Sequence, residues 1–145
     1  MGKVIEKNKD NPVFYCQYAY ARASSVIRKS NEYKINFNIN DSFKLFDVSN
    51  VSAYEWEIIL RLLAWPHVLK LAADNNQPHR IIVYLEGLCS LFHSFWNKGK
   101  DNSSLRLIDE DDVNKTITKL IWIESFRIIL KNIFKIIKIK APEIM

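Results

Sequence analysis

The sequence predicts an all-α protein, a bundle of about five main helices. Three observations carry this. Only three Gly and four Pro occur in 145 residues, against 48% hydrophobic content, a composition suited to long ordered helices. Apolar residues recur at helical spacing in several segments. Each of those segments opens on a helix-start signal, and one length of chain of this size suits a single domain.

Asn11-Pro12 opens the first helix. The Asn side chain can accept from an orphan helix N–H, and Pro is harmless at the first helical position. The helix is expected to end near Lys29. At 100° per residue, Tyr15, Tyr18 and Arg22 project within about 60° of one another. Cys16, Ala19, Ala23, Val26 and Ile27 form an adjoining apolar face. Tyr20 lies about 200° from Tyr18. Residues 30–50 read as a loop with an extended stretch at Ile35, Phe37 and Ile39, fastened to the core by Phe43, Leu45 and Phe46.

Ser52-Ala53-Tyr54-Glu55 has the pattern of a capping box, with Val51 and Trp56 placed as a hydrophobic staple. The second helix is expected to bury Trp56, Ile59, Leu60 and Leu63 and to stop at Trp65, before Pro66. Pro66 starts a third helix, with Val68, Leu69, Ala72 and Ala73 inward, ending at Asp74-Asn75-Asn76-Gln77. Pro78 opens a fourth. Ile81, Leu85, Leu88, Phe92 and Phe95 make its buried stripe, Gly87 permits a close contact, and Gly99 terminates it. The last helix, about 111–138, has Asp109–Asp112 at its start and Lys131, Lys135 and Lys138 at its end, both suited to the helix dipole. Its Ile-rich arc (Ile117, Leu120, Ile121, Ile128, Ile129, Ile133, Ile136, Ile137) predicts the central helix.

No catalytic constellation emerges. Three Gly cannot build a phosphate-cradling loop, and His67, His79 and His93 lack ligand spacing and read as structural. Cys16 and Cys89 match no metal or redox spacing and read as two buried thiols. The acidic run 109–112 reads as helix-start solvation. Glu124, Arg127, Lys131, Lys135 and Lys138 interrupt the last helix at roughly 2.5–3.5 kcal/mol each near a bilayer centre, which excludes a span. No signal peptide is visible, so a cytoplasmic location is expected.

Binding is the stronger expectation. Single-stranded RNA is read by bases stacked on aromatic rings and Arg planes. Tyr15, Tyr18, Tyr20, Arg22, Tyr84 and Trp96 supply such groups, and the net charge of +5 favours a polyanion. Two rival readings are a helical protein-interaction module using the aromatic ridge and a membrane-surface protein using the last helix.

The opening Asn-Pro-Val-Phe-Tyr-x-Gln-Tyr-Ala-x-Ala-Arg resembles the start of the C-terminal anticodon-binding (DALR-type) domain of arginyl-tRNA synthetases. Further pieces follow in order. Trp65-Pro66-His67-Val68, Pro78-His79, Tyr84-Leu85, Leu88-Cys89, Phe92-His93-Ser94-Phe95-Trp96 and Leu130-Lys131-Asn132 all resemble family segments. Ala141-Pro142-Glu143-Ile144-Met145 is similar to the Ala-Pro-Glu-Arg-Met with which many members end. Departures are Tyr20 for His, Trp96 for Tyr, Ile144 for Arg, and Ile133 and Lys138 for Gly; the tetrapeptide that names the family is absent.

The resemblance implies a helical bundle that binds the anticodon stem-loop of an arginine tRNA, where the middle base is usually cytosine. The parent enzymes are roughly four times this length. They join arginine to tRNA with ATP and magnesium in a preceding catalytic domain, whose HIGH-like and KMSK-like signatures do not occur here. Residues 1–10 then read as a lead-in from that domain, with 11–145 the anticodon-binding domain of a monomer. No cofactor or catalytic residue is expected in this stretch. Tyr18 and Arg22 are the first candidates for tRNA binding, followed by Tyr15, Tyr20, Trp96 and Met145.

Overall fold

A computed structural model describes residues 11–145. The expected lead-in lies outside the described residues. Six helices follow in order: α1 (Pro12–Glu32), α2 (Ile39–Ser42), α3 (Ala53–Leu63), α4 (Trp65–Asp74), α5 (His79–Asp101) and α6 (Val113–Ile136). Five are long and α2 is a single turn; no strand occurs among the described residues.

α6 is the spine. It packs along α1 and also meets α3, α5 and the short α2 region, while α3 and α4 pack on α5. Twelve of its residues are buried, among them Leu120, Ile123, Phe126, Leu130 and Ile133, all at zero exposure. The arc read from its isoleucines is too wide: Ile128 and Ile136 face solvent. Thr116, Thr118 and Lys119 are buried instead, each given a polar partner by a neighbouring segment. The α5 stripe is as expected, with Ile81, Leu85, Leu88, Phe92 and Phe95 all buried.

The start signals hold. Asn11 Oδ1 accepts from Val13 N and Phe14 N at 3.0 and 3.3 Å. Ser52 and Glu55 form the reciprocal capping box. The buried face of α3 differs from the expected one. Leu60 and Leu63 are exposed, whereas Glu55, Ile58 and Leu62 are buried. Eight of its eleven residues are hydrophobic, so its phase is ambiguous from hydropathy, and a carboxylate heads the true stripe. On α4, Trp65 and Ala72 are buried, Val68 and Leu69 half-buried and Ala73 exposed.

The 30–50 segment contains no extended strand. It folds into α2 and two 3₁₀ turns. Phe43 and Leu45 are exposed; Phe46 packs on the core, and Asp47 N donates to Thr118 Oγ1 at 3.2 Å. Asx and Ser groups cap these turns locally, which competes with a strand that has no partner.

Gly99 does not end α5, which runs through it to Asp101. A Cβ there would lie 3.6 Å from the Leu105 carbonyl, an ordinary contact, so the position does not require glycine. Gly87 makes room for a side chain rather than a helix, because a Cβ would sit 2.6 Å from Arg61 Nη2. Left-handed residues follow the ends of α1, α4 and α6 at Lys34, Asn76 and Lys138, with φ of 57°, 53° and 57°, and Asn76 lies in the Asp74–Gln77 stretch expected to end α4. Each sits in a Schellman-type ending, closed by Ile35 N to Ser30 O, Gln77 N to Ala72 O and Ile139 N to Phe134 O. A side chain in this conformation costs about 1–2 kcal/mol. Lys138→Gly is therefore expected to stabilise the fold by about 0.5–1 kcal/mol, after the extra freedom Gly gives the unfolded chain. A urea midpoint that does not rise, at unchanged slope, would contradict this.

Cys16 and Cys89 are buried free thiols. Burial holds the Cys89 thiol well above its ordinary value, and the neighbouring Cys16 thiol acts in the same direction. Among the described residues no helix is long and apolar enough to cross a membrane.

Candidate nucleic-acid interface

The site is assembled where α1 lies against α5. The small residues Ala19 and Ala23, at zero exposure, let α1 approach closely. The same helix turns Tyr15, Tyr18 and Arg22 toward the C-terminal half of α5. All three are half-buried, as is Trp96.

His93 is the hub. Its ring stands 4.3 Å from the Tyr15 ring and 5.9 Å from the Tyr18 ring. Nε2 lies 3.0 Å from the Tyr15 carbonyl and Nδ1 lies 2.9 Å from Arg22 Nη1. A carbonyl only accepts and a guanidinium only donates. The arrangement is therefore satisfied by one tautomer, in which Nε2–H donates and Nδ1 accepts. The imidazole is buried, at 5% exposure, so it is a positioning group rather than a contact.

Arg22 is held on three sides. Nη1 donates to His93, Nη2 donates to the Tyr18 hydroxyl at 3.2 Å, and the guanidinium carbon lies 4.1 Å over the Tyr18 ring and 5.2 Å from the Trp96 ring. Two of the five N–H donors are used in these bonds, leaving three in a fixed plane. Phe14 lies nearly parallel to Tyr18, at 6.2 Å and 10°. A guanidinium between two aromatic rings has lost little of its donor capacity and most of its rotamer freedom. It is prepared for a planar, electron-rich partner.

Four expected residues thus converge: Tyr15, Tyr18, Arg22 and Trp96. Two do not. Tyr20 is 2% exposed, packed edge-on against Phe134 with Arg127 over its ring, so no face is open to a base. The helical projection that separates it from Tyr18 is borne out. Met145 is 49% exposed, but the tail leading to it lies on another face of α1. Gln17 donates to the Lys140 carbonyl and Arg28 to the Glu143 carbonyl, which places the tail roughly 80–160° round the helix from the ridge. Tyr84 is also removed from the surface. It is buried beside Trp65, its hydroxyl donates to the Arg61 carbonyl at 2.7 Å, and burial pushes its phenol up to about 12. His93 was missed as a site residue. Lone histidines give no spacing signal, and its role depends on how two distant helices pack.

Among the described residues, no group of three or more His, Cys, Asp or Glu is placed to hold a metal ion. Asp109 and Asp112 instead serve the start of α6. Asp112 accepts from Lys115 N, and Asp109 pairs with the Lys115 ammonium at 3.5 Å.

Fold and surface together define a class: an all-helical domain presenting stacked aromatic rings around a fixed guanidinium. The chain belongs to the DALR anticodon binding domain family, whose profile matches residues 16–145. Its relatives include the arginine–tRNA ligase of Methylobacterium nodulans, 38% identical over 147 residues and covering 100% of this chain and 25% of that protein. The arginine–tRNA ligase of Bartonella henselae is 40% identical over 142 residues, covering 97% of this chain and 24% of the relative. The chain therefore spans about a quarter of the length of the curated relatives it matches. A crystal structure assigned to an arginyl-tRNA synthetase of Campylobacter jejuni shares the fold. Its TM-score is 0.75 at 23% identity, covering 99% of this chain and 29% of that one.

Proposed function

We propose that this chain is the anticodon-recognition domain of an arginine–tRNA ligase and that the Tyr18–Arg22 ridge is where it meets the RNA. The observation that carries this reading is the convergence of Tyr15, Tyr18, Arg22 and Trp96 around one preorganised guanidinium. An unpaired base needs a π-face to stack on and planar donors for its edge or phosphate, and this surface supplies both. Met145 stays a secondary candidate, because it is exposed. By the same reading, residues 1–10 lead in from a catalytic domain of the same polypeptide. There, ATP and magnesium supply the activation of arginine. The ligase works in the cytoplasm as a monomer, and this domain's part is to select the tRNA.

The test is titration of the chain with an arginine-tRNA anticodon stem-loop, followed by NMR so that weak binding is read. Affinity is expected to fall as salt rises, with a slope of about 0.7–0.9 per phosphate contact. Replacing the middle anticodon cytosine should weaken binding about five- to 150-fold, the span of a lost base contact of 1–3 kcal/mol. Equal affinity for stem-loops with and without that cytosine would sink the proposal.

A further inference from the structure

The ridge does not end at Trp96. α1 runs a turn past Lys29 to Glu32. On the same helical projection Ser25, Lys29 and Tyr33 continue the face that carries Tyr15, Tyr18 and Arg22, all six within about 80°. Opposite them stand the last turns of α5 and the segment that leads to α6. Between them is a half-open cleft of about 430 Å³, within the size range of small-ligand sites.

Its chemistry is divided. Val26, Phe95 and Leu105 give a buried apolar floor. Lys29, Lys100 and Arg106 line the cleft from exposed positions, against the single carboxylate of Glu110. Among the described residues none of these three cations makes an ion pair. An aliphatic peptide segment would suit the floor but would give the cations nothing to neutralise. Trp96 belongs to both places, lining the cleft while lying 5.2 Å from the Arg22 guanidinium. Lys29 is seven residues from Arg22, about 10 Å along the helix axis, so one extended strand can reach both.

We propose that this cleft receives a second unpaired nucleotide of the same RNA loop, its base on the apolar floor beside Trp96 and its phosphate on the Lys29–Lys100–Arg106 rim. The inference rests on the anticodon reading of the neighbouring ridge. It adds a site with its own floor and its own cations. Specificity there comes from shape and stacking, because the floor offers few fixed donors to read a base edge.

The experiment uses the complete chain and an arginine-tRNA anticodon stem-loop, with an abasic nucleotide placed in turn at each unpaired loop position. Wild type is compared with Leu107→Ala, a half-buried residue that lines the cleft beside the floor, and with the exposed-rim variants Lys100→Glu and Arg106→Glu; circular dichroism checks the fold. One loop position is expected to cost wild type about fivefold or more when made abasic, and to cost Leu107→Ala much less. That position should differ from the one whose cost is lost in Tyr18→Ala. Each rim variant should flatten the salt slope, and the two together by about 0.7, the share of one phosphate contact. If no loop position is coupled to Leu107, or if the rim variants leave the slope unchanged, the second site is wrong while the ridge survives. If wild type does not bind the stem-loop at all, the anticodon reading itself falls.

Discussion

Replacing Glu55 by alanine is expected to destabilise the fold by about 3–5 kcal/mol, the cost of leaving a buried charge without its partner. Glu55 is 1% exposed and has four partners. Oε2 accepts from Ser52 N and Ser52 Oγ at 2.9 and 2.7 Å, and Oε1 accepts from Trp122 Nε1 at 3.1 Å. The fourth is the Lys119 ammonium at 3.7 Å, itself 1% exposed and donating to the Ser104 carbonyl. One carboxylate therefore caps α3 and ties it to α6. Alanine keeps the Ser52 half of the capping box but removes the Glu55 half, and it leaves Trp122 Nε1 without its acceptor and the Lys119 ammonium with only the Ser104 carbonyl. Total stabilities of single domains are about 5–15 kcal/mol, so a loss of this size would unfold a large fraction of molecules near physiological temperature. Urea denaturation at constant slope measures it; a loss below about 1.5 kcal/mol would mean that water reaches Lys119 and the pair is not sealed.

Glu55→Gln separates charge from shape. Burial lowers the Lys119 ammonium below its ordinary value of 10.5, and the Glu55 charge partly offsets this. Below the lowered value both folded and unfolded chains hold the proton, and the cost of burying the charge is carried in full. Between that value and 10.5 the unfolded chain binds more protons, so stability rises with pH across this window. Glutamine removes the offset and widens the window downward. The variant should therefore regain stability relative to wild type as pH is raised from neutral toward 10, and a pH-independent difference would show that Lys119 is not the group responsible.

The contrast between these residues and the ridge explains what could be read from the chain alone. Asn11 and the Ser52–Glu55 box are local signals with partners within one turn, the α5 stripe is a helical repeat within one segment, and all three read correctly. Glu55 was legible as a cap but not as a core residue, because its burial depends on Lys119 and Trp122 more than sixty positions away. Hydropathy instead placed Leu60 and Leu63 inside. Gly99 is expected to end α5, yet the helix runs on to Asp101; the left-handed endings fall at Lys34, Asn76 and Lys138, and of these Asn76 lies in the Asp74–Gln77 stretch expected to end α4. The site followed the same rule. Tyr15, Tyr18 and Arg22 share one helix, and its geometry alone groups them and sets Tyr20 apart. His93 comes from another helix, and only the α1–α5 packing brings it between them.

Arg22→Ala and Tyr18→Ala are each expected to weaken stem-loop binding by about 1–3 kcal/mol, or about five- to 150-fold. In a full-length ligase the same loss should appear in aminoacylation efficiency. The two effects should not add. Arg22 lies over the Tyr18 ring and donates to its hydroxyl, so removing either residue already disorders the other, and groups in contact couple. Tyr18→Phe tests which part of the tyrosine matters. It keeps the stacking face and drops one bond to Arg22, and its cost should be small beside that of alanine. Arg22→Lys should not rescue. An ammonium is a point charge without the planar fork that reaches His93 Nδ1 and the Tyr18 hydroxyl together, and it cannot stack between two rings. If Arg22→Lys retains wild-type binding, the arginine acts only as positive charge and the preorganised plane is irrelevant. If alanine at both positions costs less than about threefold in a folded chain, a lost stacking contact is too small to account for it, and the ridge is not where the RNA binds.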